Sequence, residues 1–584
     1  MGMTSLWFAR LHYLDRSQRH TQKNIEFNWV GSDDLKTTIL GGSFFNHYSP
    51  LSGFCFDTGC NDEELNDGNI DRRAREFMDK VKDQASHYRT NNVMLTMGDD
   101  FQYQSAGKWF KNLDILIKYI NANPAMGLNV QYSTPACYAA ALQSTGSIFQ
   151  PKQDDFFPYA SGDHSFWTGY FTSRPTFKGM IRQASSYLNL AKQLSANFLL
   201  DDGPALEIAK RASGLVQHHD AVTGTAKQVV TYDYAQRLDK GIRQLEVLIN
   251  DALKSASGGA APPKHVLCLL SNETICDVSK ASGSYAVSIF NPVGKAMSSF
   301  VRVPFYHPVA SVQDDTGTAI QVQVTAVQSI PTLSSPDAAP YELFIPVQLG
   351  PAGFKTFFVS GSGLTGSEPV SGNYYPVTNR IFIKDTKSQM TVLTDRSQGG
   401  TSKDGAIELM LHRRCFYDDH FGVSEALDEP GKDGKGLVVR GQHWLLIGDA
   451  ATQAAIHRPM AVEMFHRPIA AYATVADPAG YRSQYKTKYS GLTASLPNNV
   501  NLLTLEKRGN EVLLRLEHIF QSNEDSQLSQ AATVDFGNLF TGFKIQSVQE
   551  LYLGANRNLT MGVTTQVTLK PQQIRTFRLA VQPK

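Results

Sequence analysis

The sequence predicts a multidomain chain that combines an α/β region, an all-α region and an all-β region. Apolar strand patterns alternate with helical patterns up to about residue 160, and three long helical patterns follow between residues 175 and 256. Short strand patterns separated by turn residues then continue to the C-terminus. These observations predict a partial parallel-sheet α/β domain, a three-helix bundle and a C-terminal β-sandwich region.

The domain boundaries are placed where the composition changes. Ser255–Pro263 and Ser360–Gly372 are rich in Gly, Ser and Pro, as flexible linkers are, and no convincing helix is predicted after the first of them. The predicted domains are an α/β domain at 1–160, a three-helix bundle at 161–257, a small β-sandwich at 264–362 and C-terminal β-sandwich domains at 372–584.

The first 160 residues alternate between strands and helices. Such alternation predicts a parallel sheet covered by helices, with ligands at the carboxyl ends of its strands. The predicted strands are Leu6–Leu11, Asn92–Gly98 and Leu128–Thr134, and the predicted helices are Asp71–Tyr88 and Trp109–Ile120.

Three long helices with short connections predict an antiparallel bundle. The second begins at Asp202-Gly203-Pro204, an acidic cap followed by Pro. The first carries an apolar stripe of Phe177, Met180, Ile181, Ala184, Tyr187, Leu188, Ala191, Leu194 and Phe198. The third, at about Ala226–Leu253, is predicted to bury Val230, Tyr234, Leu238, Ile242, Leu245 and Ile249.

The remaining sequence reads as β-structure, with turn residues between short apolar segments. The predicted strands are Tyr285–Phe290, Ser299–Pro304, Ile320–Val327, Leu343–Val347, Thr356–Val359, Arg380–Ile383, Met390–Leu393 and Val512–Phe520.

Composition excludes several classes of function. The chain has 55 Lys and Arg against 54 Asp and Glu, for a net charge of +1, and it has no dense basic run. This balance gives no sign of a nucleic-acid partner. No apolar run approaches the ~20 residues of a membrane span.

The cysteines predict two short disulfide loops, since neither close pair has the CxxC spacing of a metal site. The predicted bonds join Cys55 to Cys60 and Cys268 to Cys276. Asn272-Glu273-Thr274 and Asn558-Leu559-Thr560 fit glycosylation acceptors, and the first lies inside the second loop. Together they favour a secreted or lysosomal protein.

The N-terminus does not have the pattern of a signal peptide. Met1–Arg10 lacks a charged segment followed by a long apolar core, and it reads as an interior strand. We therefore expect the sequence to begin within a domain.

Gly98-Asp99-Asp100 follows the predicted strand Asn92–Gly98. Two carboxylates at the carboxyl end of a parallel strand suit acid/base chemistry, because crowding like charges favours a proton on one of them. The alternative interpretation is a polar loop in which one of these residues caps a helix.

The segment from Gln217 to Lys227 joins the second and third helices. Continuing the apolar stripe of the second helix by one turn places His219 and Asp220 inward and His218 outside the stripe. Gly224 is expected to break the helix, and Thr225 to cap the next one. An imidazole beside a carboxylate fits a metal or sugar-hydroxyl site, and the alternative is a core histidine beside a capping aspartate.

His218-His219-Asp220-Ala221-Val222-Thr223-Gly224-Thr225 closely resembles the signature of glycoside hydrolase family 38, the retaining α-mannosidases, and most nearly the lysosomal branch. Met97–Tyr103, Phe8–Tyr13, Gly372–Val377 and Leu393–Gly400 carry further resemblance. The likeness covers nearly the whole chain. Between Leu364 and Gly372, where the family carries part of a large β-sandwich, this chain has only a short linker, so an internal deletion is inferred.

The resemblance implies roles for individual residues. It implies that Asp100 is the general acid/base, with Asp99 assisting electrostatically, and that His219 binds Zn²⁺. Asp220, Arg10, Tyr48 and Arg396 are implied to contact the sugar. We further expect the His219–Asp220 pair to face the same cleft as Asp100.

The family's nucleophile and most of its zinc ligands belong to a His-x-Asp-Pro-Phe-Gly-His motif and to a second His-x-Asp pair near the family's N-terminus. The first motif does not occur in these 584 residues, and their one His-x-Asp triplet, His218-His219-Asp220, belongs to the signature described above. A retaining glycosidase needs two carboxyl groups, and catalytic zinc normally has three protein ligands. Three hypotheses follow: a zinc-dependent α-mannosidase, a truncated isoform without catalysis, or a carbohydrate-binding module.

The resemblance also implies partners and a compartment. It implies that mannose-containing N-glycans are the substrate and that the compartment is lysosomal or secretory. No nucleic acid and no membrane span are expected, and assembly into a homo-oligomer is left open.

Overall fold

The computed structural model describes residues 3–32, 37–281, 284–307, 310–327, 337–359, 375–403, 405–420, 422–431, 434, 436–562 and 564–584. The chain divides into two compact units, Met1–Thr168 and Gly169–Lys584. No helix within the described ranges is long and apolar enough to cross a membrane. The predicted mixture of α/β, helical and β-sandwich parts is confirmed, whereas the exact domain boundaries stay predictions.

The first unit combines a small sheet with helices. Its elements are β1 (Ser5–Phe8), α1 (Tyr13–Gln22), β2 (Glu26–Ser32), β3 (Thr37–Ser43), α2 (Ile70–Ser86), α3 (Ala106–Asn121), α4 (Pro135–Ser144) and β4 (Gln150–Lys152). The strand order is β1-β3-β2-β4. β1 is parallel to β3 and β2 is parallel to β4, as predicted, but β2 is antiparallel to β3, so the sheet is mixed.

Two predicted strands of this unit, Asn92–Gly98 and Leu128–Thr134, pair with no strand among the described residues. Side chains bind some of their backbone groups instead. Gln84 Nε2 donates to Met94 O at 3.0 Å, and Tyr138 OH donates to Asn92 O at 3.2 Å. The amide of Asn121 brackets Val130 in the same way, at 2.7 and 2.9 Å. Side chains therefore replace part of the hydrogen bonding that a strand ladder would supply.

The second unit opens with three helices that share one apolar core. They are α5 (Pro175–Phe198), α6 (Ala205–Leu215) and α7 (Gln228–Ala256). The three-helix prediction is confirmed, and most of the predicted stripe residues are buried. Val230 of α7 is an exception, because it is exposed, and Leu215, the last residue of α6, is exposed as well. Ser255 and Ala256, predicted to open a linker, belong to α7.

Most of the rest of this unit is β-structure. Its first part contains α8 (Asp277–Ala281), β5 (Tyr285–Phe290), β6 (Met297–Phe305), β7 (Val312–Gln313), β8 (Ala319–Ile320), β9 (Gln323–Ala326), β10 (Tyr341–Leu349) and β11 (Phe354–Val359). Its second part contains β12 (Tyr375–Val377), β13 (Arg380–Lys384), β14 (Ser388–Thr394), β15 (Gln398–Lys403), β16 (Ala406–Met410), β17 (His443–Asp449), α9 (Gln453–Phe465), β18 (Ile469–Thr474), α10 (Pro478–Gln484) and β19 (Lys488–Tyr489). The last part contains β20 (Val500–Arg508), β21 (Glu511–His518), β22 (Ala532–Asp535), β23 (Phe543–Leu551), β24 (Asn558–Gly562), β25 (Gln566–Leu569) and β26 (Ile574–Pro583).

These strands form sheets that pack face to face. The sheet β18-β5-β11-β7-β8 and the sheet β6-β10-β9 share one core, as a β-sandwich does. β18 comes from residues 469–474, so pairing with β5 spans a long stretch of sequence. The sheet β20-β21-β26-β23-β24 and the pair β22-β25 share another core near the C-terminus.

The prediction of no helix after residue 263 is wrong. α9 is a 13-residue helix that contains Pro459, a residue that disfavours helix interiors. α10 is short and begins at Pro478, where the carboxylate of Asp477 accepts a hydrogen bond from Ala479 N at 3.1 Å. The predicted linker Ser360–Gly372 and the inferred deletion after Leu364 lie outside the described residues.

Both predicted disulfides are confirmed: Cys55 is bonded to Cys60, and Cys268 to Cys276. Of the predicted glycosylation positions, Asn558 is exposed on β24, at the edge of its sheet. Asn272 lies in a single 3-10 turn, Ser271–Glu273. Glycosylation of either residue stays a prediction.

Candidate functional site

Four predicted residues of the first unit lie together at one edge of its sheet. β1 and β3 are parallel neighbours, so Arg10, just after β1, and Tyr48, after β3, emerge at the same edge. Arg10 Nη2 donates to Tyr48 OH at 3.4 Å, and Tyr48 OH donates to Asp100 Oδ2 at a long 3.5 Å. We call Arg10, Tyr48, Ser49, Asp99 and Asp100 the acidic cluster.

The two carboxylates of the acidic cluster have different environments. Asp99 is the more constrained, because Ser49 Oγ donates to its Oδ2 and the Asp100 backbone N–H donates to its Oδ1 at 2.8 Å. Both carboxylates are exposed, but the Asp100 carboxylate accepts only the long Tyr48 bond within the described part of the chain. Asp99 therefore orders the turn, and Asp100 presents its carboxyl to solvent.

Aromatic side chains complete this edge. The Arg10 guanidinium lies 4.7 Å from the centroid of the Trp167 ring and 5.7 Å from that of Tyr48. Sequence patterns did not identify this contact between Arg10 and Trp167. They also missed His47: burial first, and Arg10 next, lower the pKa of its imidazole, while Asp99 and Asp100 act in the opposite direction.

The loop that carries Asp99 and Asp100 is tied to the neighbouring disulfide loop. Asp57 Oδ2 accepts hydrogen bonds from Tyr103 N at 2.7 Å and from Trp109 Nε1 at 2.8 Å. Gln102 Nε2 lies 3.3 Å from Cys55 Sγ. The Cys55–Cys60 bond thus has a local task, which is to support the turn that follows Asp100.

The second cluster lies in the second unit, on the loop 217–226 between α6 and α7. Here His218 Nε2 lies 3.2 Å from Asp220 Oδ2, and His219 Nε2 lies 3.8 Å from the same oxygen. One ligand atom from each residue lies within 4.8 Å of the other two. The structure thus adds His218 to the predicted pair of His219 and Asp220.

The predicted inward orientation of His219 and Asp220 is wrong. Their side chains are 81% and 52% exposed. The prediction extended the periodicity of α6, but that helix ends at Leu215 and the chain continues as turns. Thr225 does not cap α7, whose N-cap is Lys227; instead Thr225 Oγ1 donates to Asp220 Oδ1 at 3.1 Å.

The prediction that Gly224 breaks the helix is wrong, because α6 already ends at Leu215 and Gly224 lies among the turns that follow. Its φ of +76° lies in the left-handed region, and a Cβ here would lie 2.4 Å from Ser173 O. Only glycine allows the loop to approach the start of α5 this closely.

Arg396 is buried in the second unit. Its Nε and Nη2 donate to the two oxygens of Asp395 at 2.9 and 3.0 Å, and its Nη1 and Nη2 donate to Pro175 O and Arg440 O at 2.9 and 2.7 Å. These bonds join the loop after β14 to the start of α5. Sugar contact by Arg396 stays a prediction. In the structure its guanidinium forms hydrogen bonds that connect segments of the second unit.

The two clusters lie in different compact units. Arg10, Tyr48, Asp99 and Asp100 meet within the first, and His219 and Asp220 meet within the second. That both clusters face one cleft stays a prediction.

The fold defines a multidomain protein with an α/β unit followed by a helical bundle and β-sandwiches. Four family models match it along the chain: the glycosyl hydrolases family 38 N-terminal domain at residues 1–162, the alpha mannosidase middle domain at 165–255, the family 38 C-terminal domain at 362–421 and the family 38 C-terminal beta sandwich domain at 499–577.

Curated relatives match over the whole chain. Lysosomal alpha-mannosidase of Cavia porcellus is 31% identical over 803 residues, covering 100% of this chain and 79% of the relative. The Homo sapiens lysosomal alpha-mannosidase is 31% identical over 806 residues with the same coverage. An alpha-mannosidase of Canavalia ensiformis is 28% identical over 777 residues, covering 95% and 79%. The chain belongs to glycosyl hydrolase family 38.

A solved structure shares the fold. The crystal structure of an alpha-mannosidase from Enterococcus faecalis V583 aligns with a TM-score of 0.60 at 13% identity, covering 99% of this chain and 87% of that chain.

The lengths of the curated alignments bear on the inferred deletion. The Cavia porcellus alignment spans 803 positions, and this chain has 584 residues. The relative therefore carries many residues that have no counterpart here, although the alignment length does not locate them. A deletion between Leu364 and Gly372 stays a prediction.

Proposed function

We propose that this protein is an α-mannosidase-type glycoside hydrolase that acts on α-mannosidic bonds of N-glycans. The observation that carries the proposal is the acidic cluster, in which an exposed carboxyl, a cation and a phenol meet at the carboxyl ends of two parallel strands. Family membership and the α-mannosidase names of the relatives support the same reaction class.

In this proposal Asp100 is the general acid/base. Its carboxyl is exposed and only weakly engaged, so it can reach a glycosidic oxygen. Asp99 holds the turn and adds negative charge beside Asp100. Arg10 and Tyr48 bind sugar hydroxyls, and the Trp167 ring behind Arg10 limits where that cation can move.

The donor set of the second cluster fits Zn²⁺ in part. Zinc bonds of about 2.0–2.1 Å separate tetrahedral ligand atoms by roughly 3.3 Å, and two of the separations in this cluster are 3.2 and 3.8 Å. We propose that His219 is a zinc ligand, that His218 can serve as a second, and that Asp220 contacts zinc or a sugar hydroxyl. Zinc bound there would supply a Lewis acid to sugar oxygens.

A retaining mechanism needs a nucleophile beside the acid/base. Asp99 is already engaged by Ser49 Oγ and the Asp100 N–H, which suits support better than attack. Since the sequence does not contain the family's nucleophile motif, we propose that a polypeptide of these 584 residues turns over α-mannosides slowly or not at all. It would still bind mannose-containing glycans through the acidic cluster.

A lysosomal or secretory location is part of the proposal. Two disulfides and the lysosomal names of the relatives support it.

The test combines turnover with binding. The purified polypeptide would be assayed with an aryl α-mannoside, analysed for zinc, and titrated with mannose oligosaccharides by calorimetry. Glycan binding that Arg10→Met weakens would support the proposed site. Robust turnover abolished by Asp100→Asn, but not by Asp79→Asn on the exposed face of α2, would support the hydrolase and overturn the inactivity. If the polypeptide neither binds glycans nor turns over the α-mannoside, the proposal is contradicted.

A further inference from the structure

Two buried cations at the start of α5 hold the loop 217–226: Arg174, the N-cap residue, and Lys178, in the first turn. Lys178 Nζ donates to Val222 O at 2.7 Å and to Thr223 O at 2.8 Å. Arg174 Nε donates to Gly224 O at 3.2 Å, and its Nη2 donates to Ala226 O at 2.9 Å. Four carbonyls of the segment that follows Asp220 are therefore bound by two side chains, Arg174 and Lys178, which we call the cation clamp.

Both members of the cation clamp are buried. Arg174 is 1% exposed and Lys178 is 4% exposed. Burial lowers the pKa of the Lys178 ammonium to about 7, with Glu429 acting in the opposite direction and Arg413 adding to the lowering. A buried ammonium costs stability unless its hydrogen bonds offset the loss of water. The Val222 and Thr223 carbonyls accept the hydrogen bonds of this ammonium.

The clamp is itself anchored in the second unit. Arg174 Nη1 donates to Gln228 Oε1 at 2.5 Å and lies 3.4 Å from Glu429 Oε1. The backbone N–H of Gln228 donates to Glu425 Oε1 at 2.9 Å. The clamp thus connects α5, the start of α7 and the segment 425–429, and it leaves the loop little freedom below its exposed face.

The exposed side of the loop depends on this support. The side chains of His219 and Asp220 are exposed, and they contact each other, His218 and Thr225, all within the same loop. Thr223 Oγ1 donates to His219 O, which links the clamped carbonyl segment to the histidine. Because these contacts all lie within the loop, the relative positions of the imidazole and the carboxylate depend on the loop backbone.

We propose that Arg174 and Lys178 are positioning residues that fix the loop backbone, so that His218, His219 and Asp220 present their donor atoms to one ligand. The metal role of these three residues rests on the proposed function, but the positioning role does not. The clamp orders the loop before a ligand binds. The entropy cost of ordering it therefore does not reduce the affinity for that ligand.

The test compares two lysine substitutions on α5. Lys178→Met removes a loop contact. The matched control Lys192→Met removes an ammonium of the same helix that lies 2.9 Å from Glu506 and does not touch the loop. Hydrogen exchange of the peptide that covers residues 217–226 is measured together with Zn²⁺ affinity by calorimetry.

The clamp predicts faster exchange of the loop in Lys178→Met only, and Zn²⁺ affinity weaker by about tenfold or more, the usual effect of losing an outer support. Lys178→Gln, which keeps an N–H donor, should lie between the parent and Lys178→Met in both measurements. If Lys178→Met does not fold, the Lys178→Gln variant still tests the clamp by the same two measurements. Unchanged loop exchange in both Lys178 variants would overturn the proposal.

The two proposals can fail separately. A parent protein that binds no Zn²⁺ removes the metal role from the proposed function, while the exchange measurement still decides the clamp. Zn²⁺ affinity that falls equally in Lys178→Met and Lys192→Met would show a general loss of stability and would overturn a specific positioning role.

Discussion

Glu26 is a buried carboxyl in the first unit whose protonation matters for stability. It lies at the start of β2, where Tyr138 OH donates to its Oε1. Burial raises the pKa of Glu26 from 4.5 to about 7, although the Tyr138 hydrogen bond acts in the opposite direction. The folded state therefore keeps a proton that the unfolded chain loses between these two pH values.

The pH dependence has a definite sign. The proton-bound form is favoured by folding, so the contribution of Glu26 is fully present below about pH 4.5 and is lost as the pH rises to about 7. Glu26→Gln should remove this loss. The free energy of unfolding of the variant relative to the parent should therefore be roughly 3 kcal/mol higher at pH 8 than at pH 4. Urea unfolding at both pH values measures it. Glu207→Gln, on the exposed face of α6, is the control, and an unchanged parent-to-variant difference would contradict the assignment.

At the same scale, Asp100 is the residue on which the proposed chemistry depends. Its position after Gly98 and its resemblance to the family motif were readable from the chain. The contact of Tyr48 with Asp100 and the contact of Ser49 with Asp99 were not readable, because each joins residues far apart in the sequence.

Among the elements, the loop 217–226 shows how far periodicity reaches. The apolar repeat predicted α5, α6 and α7, since each buries one stripe in a shared core. The repeat did not show that α6 ends at Leu215, and so it misplaced His219 and Asp220. The loop path depends on the approach of Gly224 to Ser173 and on the cation clamp, both of which involve residues distant in sequence.

Gly224→Ala is expected to destabilise the protein. The new Cβ would meet Ser173 O at 2.4 Å in a left-handed backbone conformation, which should cost about 2–4 kcal/mol. Gly214→Ala is the matched control, because a Cβ in this turn of α6 meets no heavy atom within 4 Å and should stabilise by about 0.5–1 kcal/mol. Calorimetric Tm values compare them. Equal Tm values for the two variants would refute the close approach.

Strands were less predictable than helices. Asn92–Gly98 has the composition of a buried strand, yet it pairs with no strand among the described residues, and side chains bind some of its carbonyls. α9 was missed because Pro459 lies inside it. Whether an apolar segment becomes a paired strand depends on what lies beside it, which local sequence does not state.

At the scale of the whole molecule, the sheet β13-β14-β17 has an apolar face whose edge strand, β17, exposes two large side chains within the described part of the chain. Its register aligns Ile383, Met390 and Ile447 in one row and Ile381, Val392 and Leu445 in another. Paired residues share a face. The opposite face packs against α9 through Leu393 and its neighbours. Leu445 is 60% exposed and Ile447 is 69% exposed.

We expect copies of this protein to self-associate through this face. Its two rows are uncharged, and a net charge of +1 gives little repulsion between copies. Sedimentation velocity over a concentration series should show association for the parent and a shift to monomer for Leu445→Lys with Ile447→Lys. Val247→Lys, at an exposed apolar position on α7, should behave as the parent. Equal sedimentation of all three proteins would contradict the prediction.

The sequence by itself determined the family, the three helices, most of the sandwich strands, both disulfides and the residue types of both clusters. These features are local or periodic, or they repeat a recognisable motif. Only the tertiary structure decided that Arg10, Tyr48 and Asp100 are in contact, that the loop 217–226 is exposed and clamped from below, and that β18 pairs with β5. Each of these depends on contacts between residues far apart in the chain, where side chains compete for backbone partners that no local pattern records.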